Sequence, residues 1–531
     1  MKEFNREKFI KRCIQIFAIV VVLILLTLGI SAIVKTAYFN NTYNEYNEKI
    51  YYKNDNIAIN IFLMLISIIV IYALYKIFFK IKNKYLLFAV ILIYAVLSVI
   101  WVIVSKTPLR ADQKVIQDIA TQFIDGNLGT LDPGQYLCYH PLQLGIIYFL
   151  EIIYRIFSST NPIIFKMLNI IFSTIAMIYI YKISYIIFKN DKVQKILLIL
   201  LCGNFIMIFF NVYVYGNIIG FMLGLIAIYY TLKYTENKKV RYLAISTISI
   251  VTAIALKSNY QIYLIGIIII LLLETFKKFD YKSIIAIFAM IILMTVVNKG
   301  IIKFTEFRYG KEINEGIPMI SYIQMGMAEK VDRAAGWYNA VVNVEAIFRN
   351  NDFDEEKTSE YSKTEIAKRL NEMLNNPKDA IVYYGDKILS TWIEPAFQTI
   401  WINEPQEEIE KVNDYISDKN ILISLYDGTA NKIIMKYFDI YDIIIFIFAA
   451  TYLVINFKKI NIKEISLMII FFGGFAFHIL WETKSIYAIP FFELLIPYAS
   501  HGIMDVIQII ETKIKKKKSK KDKEIKLICG S

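Results

Sequence analysis

Twelve apolar runs, each carrying few or no charges, are spread along the chain at roughly 13–34, 57–79, 85–105, 163–188, 195–213, 216–233, 242–256, 260–275, 283–299, 437–457, 464–481 and 486–508. Most approach the length an α-helix needs to cross about 30 Å of hydrocarbon. The expected fold class is an all-α polytopic membrane protein of about 12 transmembrane helices. Two further segments are apolar in a different way. In Asp112 to Asn127, Val115, Ile116, Ile119, Ala120, Phe123 and Ile124 recur at helical spacing with polar residues between them, and Gly126-Asn127 ends the pattern. Leu142 to Phe157 is apolar but contains Glu151 and Arg155. If that second segment spanned, every later loop would change sides. Both are therefore expected as interfacial helices in the outward loop between the third and fourth spans.

The runs divide the chain. Residues 1–84 hold two N-terminal spans, and 85–299 form a transmembrane core with the outward loop 106–162. Residues 300–435 form an extracytoplasmic, mostly helical segment with 15 Lys/Arg and 23 Asp/Glu. Within it, Thr358 to Asn375 reads as one amphipathic helix, and Pro377 starts another that ends near Glu394-Pro395. The run Asp352, Asp354, Glu355, Glu356 lacks the glycine and spacing of a calcium loop. Residues 436–508 hold the C-terminal spans, and 509–531 a lysine-rich tail.

Charge then sets orientation. The formal net charge of +13 is not spread as in a nucleic-acid arm. Nine lysines lie between Lys513 and Lys526, and other basic residues occupy short loops. With the N-terminus inside (Lys2, Arg6, Lys8, Lys11, Arg12), each later cytoplasmic loop is basic: Lys80, Lys82 and Lys84; Lys189, Lys192 and Lys195; Lys233, Lys238, Lys239 and Arg241; Lys277, Lys278 and Lys282; Lys458, Lys459 and Lys463. Short basic loops stay cytoplasmic. This predicts an integral plasma (cytoplasmic) membrane protein with both termini cytoplasmic and any active site extracytoplasmic. The first run is read as a retained span, and the tail as a topological anchor that touches anionic lipid. Cys13, Cys138, Cys202 and Cys529 share no metal-ligand spacing, and neither do His140, His478 and His501, so no disulfide, no zinc site and no histidine-based metal site are expected.

The candidate chemistry lies in outward turns. Asp112 stands where a span leaves the membrane and an interfacial helix begins, a position where the helix dipole favours a carboxylate. A helix cap explains it as well. Tyr139 and His140 precede Pro141 at the start of the second interfacial helix. They are read either as facing the Asp112 pocket or as a surface aromatic and a solvated histidine. The late hairpin Trp481-Glu482-Thr-Lys484-Ser-Ile-Tyr487 carries a lysine at headgroup level. It suits a phosphate, or a snorkelling side chain paired with Glu482. Lys257, in the turn Lys257-Ser-Asn259-Tyr260, poses the same choice. Glu493 sits inside a span, where an acid is a functional candidate or a partner for a neighbouring helix. Trp337, Tyr338, Trp392 and Trp401 are read as the core of a small domain or as sugar-stacking surfaces.

Three of these motifs together resemble the GT-C membrane glycosyltransferases, in particular the family 39-like group of protein O-mannosyltransferases and lipid A aminoarabinose transferases, in their bacterial cell-envelope type. They are Arg110-Ala-Asp112-Gln113 with interfacial helices after it, Tyr139-His140-Pro141-Leu142, and Lys484-x-x-Tyr487-x-x-Pro490. Here Gln113 follows Asp112, where many members carry Asp-Glu. The resemblance implies a polyprenyl-phosphate-linked sugar donor and a cell-envelope glycan, lipid or protein acceptor. It implies Asp112 as catalytic base, with Lys484, Lys257 and Arg308 on the donor phosphate. Arg110, Gln113, Tyr139, His140, Glu482 and Tyr487 would bind substrate. The reaction would be an inverting displacement by a hexosyl- or pentosyltransferase. A divalent metal is left open, since some relatives use one, and no cofactor motif is present. Two other classes compete: a multispan transporter or lipid flippase, and an assembly protein whose 300–435 segment binds a partner.

Overall fold

The computed structural model describes residues 6–39, 50–330, 333–338, 342–403 and 421–529, with side chains of the last stretch described as far as Lys518 except Asp427. Lys2, part of segment 300–435 (331–332, 339–341 and 404–420) and the tail side chains beyond 518 lie outside the described residues.

The described residues are helical almost throughout. In order, the helices are α1 (Arg6–Val34), α2 (Ile57–Ile77), α3 (Asn83–Ser105), α4 (Asp112–Ile124), α5 (Tyr136–Tyr139), α6 (Leu144–Phe157), α7 (Ile163–Phe188), α8 (Asp191–Cys202), α9 (Phe205–Phe210), α10 (Asn217–Asn237), α11 (Val240–Leu256), α12 (Gln261–Lys277), α13 (Tyr281–Tyr309), α14 (Met319–Met327), α15 (Val344–Asn350), α16 (Glu355–Asn375) and α17 (Pro377–Trp392). Then come α18 (Ile421–Asp427), α19 (Thr429–Asn456), α20 (Ile462–Leu480), α21 (Ser485–Phe492) and α22 (Ile496–Cys529).

Among the described residues, nine helices are long and apolar enough to cross a membrane. The expected count of 12 included three segments that do not qualify by that measure, and each has a local reason. The run 195–213 breaks at Gly203-Asn204 between α8 and α9, where neither residue favours a helix interior. Residues 242–256 form α11, an apolar helix of 17 residues. The run 486–508 is interrupted at Glu493–Leu495. Pro497 has no N–H to donate there, and its ring would clash with the carbonyl of Glu493 in a continuous helix.

The two helices read as interfacial are present as α4, of 13 residues, and α6, of 14. They pack on each other, and α6 also rests on α11 and α13. In the bundle, α10 lies against α7 and α11, α19 against α1 and α22, and α12 against α20. One end gathers basic loops. There Lys189 and Lys463 both reach Glu236 at 3.2 and 3.1 Å, Lys238 meets Asp280 at 3.0 Å, and Lys277 meets Glu7 at 3.9 Å. The opposite end carries the loop 106–162, helices α14 to α17 and the 481–484 hairpin.

An antiparallel ribbon, not foreseen from the sequence, joins that second end. Lys35–Phe39 pairs with Ile50–Asn54, Lys35 opposite Asn54 and Phe39 opposite Ile50. Ala37 N donates to Ile393 O at 3.3 Å, Tyr52 Oη donates to Asp386 O at 3.0 Å, and Phe39 stacks on Trp401 at 5.0 Å. Of the four aromatics left open above, Trp337 and Trp392 are fully buried packing residues.

Candidate active site

The first loop is shaped by its two ends. Lys106 and Ala111 both have positive φ, 46° and 45°. Such residues cost about 1–3 kcal/mol each and persist only where surroundings fix them. Lys166 supplies part of that fixing: its buried Nζ donates to Thr107 O at 2.6 Å and Thr107 Oγ1 at 3.0 Å. From Ala111 the chain turns straight into α4. That helix buries Ile116, Ile119, Ala120 and Phe123 at helical spacing and leaves Asp112 exposed in its first turn. Gln113 points the other way; its Oε1 accepts from Val214 N at 2.9 Å and ties α4 to the turn before α10.

The second component is the hairpin after α20. Glu482 N donates to Tyr322 O at 3.0 Å, Thr483 N to Gly336 O at 2.8 Å, and Ser485 Oγ to Glu394 at 2.9 Å. Three separate parts of the 300–403 region thus hold Glu482, Thr483 and Ser485 of the hairpin. Gly326 is a glycine for a reason: a Cβ there would lie 2.4 Å from the Trp481 carbonyl carbon. Through that gap Lys387, fully buried on α17, donates to Gly326 O and Trp481 O, the latter at 2.8 Å.

Between loop and hairpin lies a charged recess. Lys257 enters from the turn after α11, its Nζ 4.3 Å from the Tyr215 ring centre and 5.7 Å from that of Tyr487. Asn217, Asn259, Tyr260 and Pro490 complete the wall around it. Burial lowers the Lys257 amine to about 8, against the opposing pull of Asp112 and Glu482. Burial likewise lowers Lys387 to about 7, with Glu482 opposing. The charge of Asp112 also acts on Tyr136, Tyr215 and Tyr322, whose phenols burial pushes up. Asp112, Lys257 and Glu482 therefore share one electrostatic neighbourhood, framed by three tyrosines from three distant segments.

The remaining site candidates are placed as follows. His140 stands beside this recess: Nδ1 is 3.1 Å from Tyr322 Oη, and Nε2 is 3.0 Å from Glu345. The His140 contact lowers the Glu345 carboxyl. Tyr139 is buried against Phe348 and Phe353, and its hydroxyl accepts from Arg349 Nε at 3.0 Å, so it serves the packing of α15. Tyr487 stacks against His478 with ring centres 6.2 Å apart. Lys484, partly buried, acts on Tyr338, as do Glu345 and Glu482. Arg110 donates to Trp401 O at 3.5 Å.

Arg308 lies elsewhere. It grips Glu151 at 2.8 and 3.2 Å and donates to Phe123 O, clamping α13 to α6 and to the far end of α4. Phe123 is eleven residues from Asp112 along that helix, about 16 Å at the helical rise. The structure therefore brings Asp112, Lys257, Glu482, Tyr487 and His140 together and keeps Arg308 apart, as a clamp. Sequence reasoning missed Tyr136, Tyr215, Tyr322 and Lys387. Tyr136 lies three residues before the Tyr139-His140 motif already singled out, and Tyr215 falls between the runs 195–213 and 216–233. Tyr322 and Lys387 had no local signal. Among the described residues, no group of three or more His, Cys, Asp or Glu is arranged to hold a metal ion.

Residues 140–298 match the family model of the dolichyl-phosphate-mannose-protein mannosyltransferases, a stretch that begins at His140, includes Lys257 and ends within α13. No curated protein matches the chain. Among solved structures, the oligosaccharyltransferase of Archaeoglobus fulgidus in its apo form is similar at 14% identity and a TM-score of 0.42, over 83% of this chain and 52% of that one. The same enzyme tethered to an acceptor peptide is similar at 14% and 0.42, over 82% and 51%. Its complex with Zn and sulfate is similar at 13% and 0.32, over 77% and 53%. The chain thus spans about half the length of these structures, and likeness at such scores carries no argument about activity.

Proposed function

From a polytopic helical chain that resembles the GT-C membrane glycosyltransferases and carries the dolichyl-phosphate-mannose-protein mannosyltransferase pattern over residues 140–298, we propose a membrane glycosyltransferase that moves a sugar from a polyprenyl-phosphate donor to an extracytoplasmic acceptor hydroxyl. The observation that carries this reading is that the charges of Asp112 and Glu482 both act on buried Lys257, at the end of the bundle opposite the basic loops. The proposal also takes that end as extracytoplasmic, in the plasma membrane, with both termini inside.

In this reading Asp112, exposed at the mouth, takes the acceptor hydroxyl proton as general base. The acceptor oxygen bonds to the anomeric carbon as the bond from that carbon to the phosphate oxygen breaks. The leaving oxygen keeps the electron pair, and attack from the opposite face of that carbon inverts its configuration in one displacement. A phosphate monoester leaves without a general acid. Lys257 stabilises the charge that grows on it, in surroundings where water screens little. Lys484 extends the cationic side of the recess, and Glu482 orients the sugar.

Replacing Asp112 by Asn tests this directly. Transfer of radiolabelled sugar from a polyprenyl-phosphate donor, measured in vesicles, falls by about 10²–10⁴-fold if Asp112 is the base. Transfer at the wild-type rate would rule that role out. A transporter or flippase is favoured by one observation, the two interrupted helices in the bundle. Labelled donor lipid that crosses the bilayer without turnover would decide for it.

A further inference from the structure

The bundle holds a second polar region away from the recess. Two helices are interrupted beside the same stretch of α19. α8 stops at Cys202 before α9 starts at Phe205, and α21 gives way at Glu493–Leu495 before α22. Helix α19 packs over both breaks. Tyr437 Oη donates to Gly203 O at 2.6 Å and Tyr441 Oη to Leu200 O at 3.1 Å. On the other break, the rings of Tyr441 and Phe446 lie 6.4 and 5.5 Å from Phe492.

Three polar side chains on these segments have almost no exposure: Asp442, one residue past Tyr441, at 1%, Glu493 at 1% and Asn204 at 3%. Asn204 Nδ2 donates to Glu493 Oε1 at 2.7 Å. Asn204 Oδ1 and both carboxylate oxygens of Asp442 have no hydrogen-bond partner among the described residues. The carboxylates of Asp439, Glu394 and Glu493 all act on Asp442. The nearby cation is already engaged, since Lys436 bonds Asp439 at 2.7 Å and Asp55 at 3.2 Å.

The kind of atom left over is informative. All three orphaned atoms are acceptors. A buried acid without a counter-charge is costly inside a membrane protein, and what such a set lacks is positive charge. The last carbonyls of α8 accept from Gly203 N, Asn204 N and Tyr441 Oη, and the end of the helix contributes only the negative pole of its dipole. The donors are all hard oxygens, which disfavours soft metals. Two carboxylates and an amide supply fewer oxygens than the roughly six to eight that Ca2+ takes, and so buried a place opposes the water shell that Mg2+ keeps, which favours a monovalent ion. Lys436, Asp439 and Asp442 fall three residues apart on one stripe of α19 and lead from Asp55 at the site end into the pocket.

We propose that a small monovalent cation, Na+ in the first instance, binds among Asp442, Glu493 and Asn204 where the two broken helices meet. This site is separate from sugar transfer and is read without it.

The test uses the full-length chain in nanodiscs, followed by thermal unfolding while NaCl replaces choline chloride at constant ionic strength. The midpoint rises saturably with sodium and not with choline. The Asp442→Asn and Glu493→Gln variants lose the rise, and Asp118→Asn, at an exposed position on α4, keeps it. Should the variants fail to fold, equilibrium dialysis of radioactive sodium against the wild type still decides, with one bound ion per chain expected. No bound sodium overturns the proposal. So does a midpoint that responds to pH but not to sodium, or a sodium shift unchanged in both variants.

Discussion

Lys257 illustrates how a turn residue becomes a chemical group. Its amine reaches among Tyr215 and Tyr487, where lost hydration lowers it to about 8. An amine holds its proton below that value and sheds it above. The proposed transfer should therefore fall on the alkaline side as pH rises through about 8, seen in kcat/KM, which reports the free enzyme. Lys257→Arg keeps its charge and moves that limb to higher pH. Lys257→Met lowers transfer by about 10²–10³-fold, as expected for loss of one charge-stabilising donor. An alkaline limb that does not move in the arginine variant would show that another group titrates. Lys257 was singled out in the sequence as a lysine in an outward turn. Its tyrosine surroundings were not legible, because Tyr215 and Tyr487 come from segments that only the fold brings together.

At the scale of elements, the helices that pack through one face were the readable ones. Helix α4 begins at Asp112 as its pattern implies, α17 begins at Pro377, and α16 starts three residues before the expected Thr358, capped by Asp354. The breaks were visible only as Gly203-Asn204 and Pro497 within apolar runs, a signal that length outweighed. The ribbon of Lys35–Phe39 and Ile50–Asn54 was missed because five-residue strands give too short an alternation to register. The contact between the 300–403 region and the 481–486 hairpin was out of reach altogether, since it rests on buried polar groups far apart in sequence. Glu394 is one of them: burial raises its carboxyl to about 7, against hydrogen bonds from Gln398, Ser485 and Ala396. The raised value means that the neutral form fits the fold. Its contribution is complete below the ordinary carboxyl range and is lost as pH rises through about 7. Unfolding midpoints of the wild type should decline across that window, and Glu394→Gln should flatten the decline. An equal slope in both proteins would place the pH dependence elsewhere.

For the whole molecule, the two ends of the bundle differ in kind. Lysines meet at one, while the other carries the recess and helices α14 to α17. This was the most legible feature, because loop charge is a property of composition and needs no contacts to be read. It yields a direct check of orientation. In a cysteine-free background, Asp118→Cys should react with an impermeant thiol reagent in intact cells, and Lys459→Cys only after permeabilisation. Reaction of both from the same side would overturn the proposed topology. The ribbon has a consequence in time as well as in space. Its Ala37 edge is closed by Ile393 O, a partner that leaves the ribosome 356 residues later. At about 5–20 residues per second that is a delay of roughly 20–70 s. Through that interval an unpaired strand edge stands open at the membrane surface, exposed to any stray β-partner. The first two spans must therefore be born with a protector, or be made quickly enough to do without one.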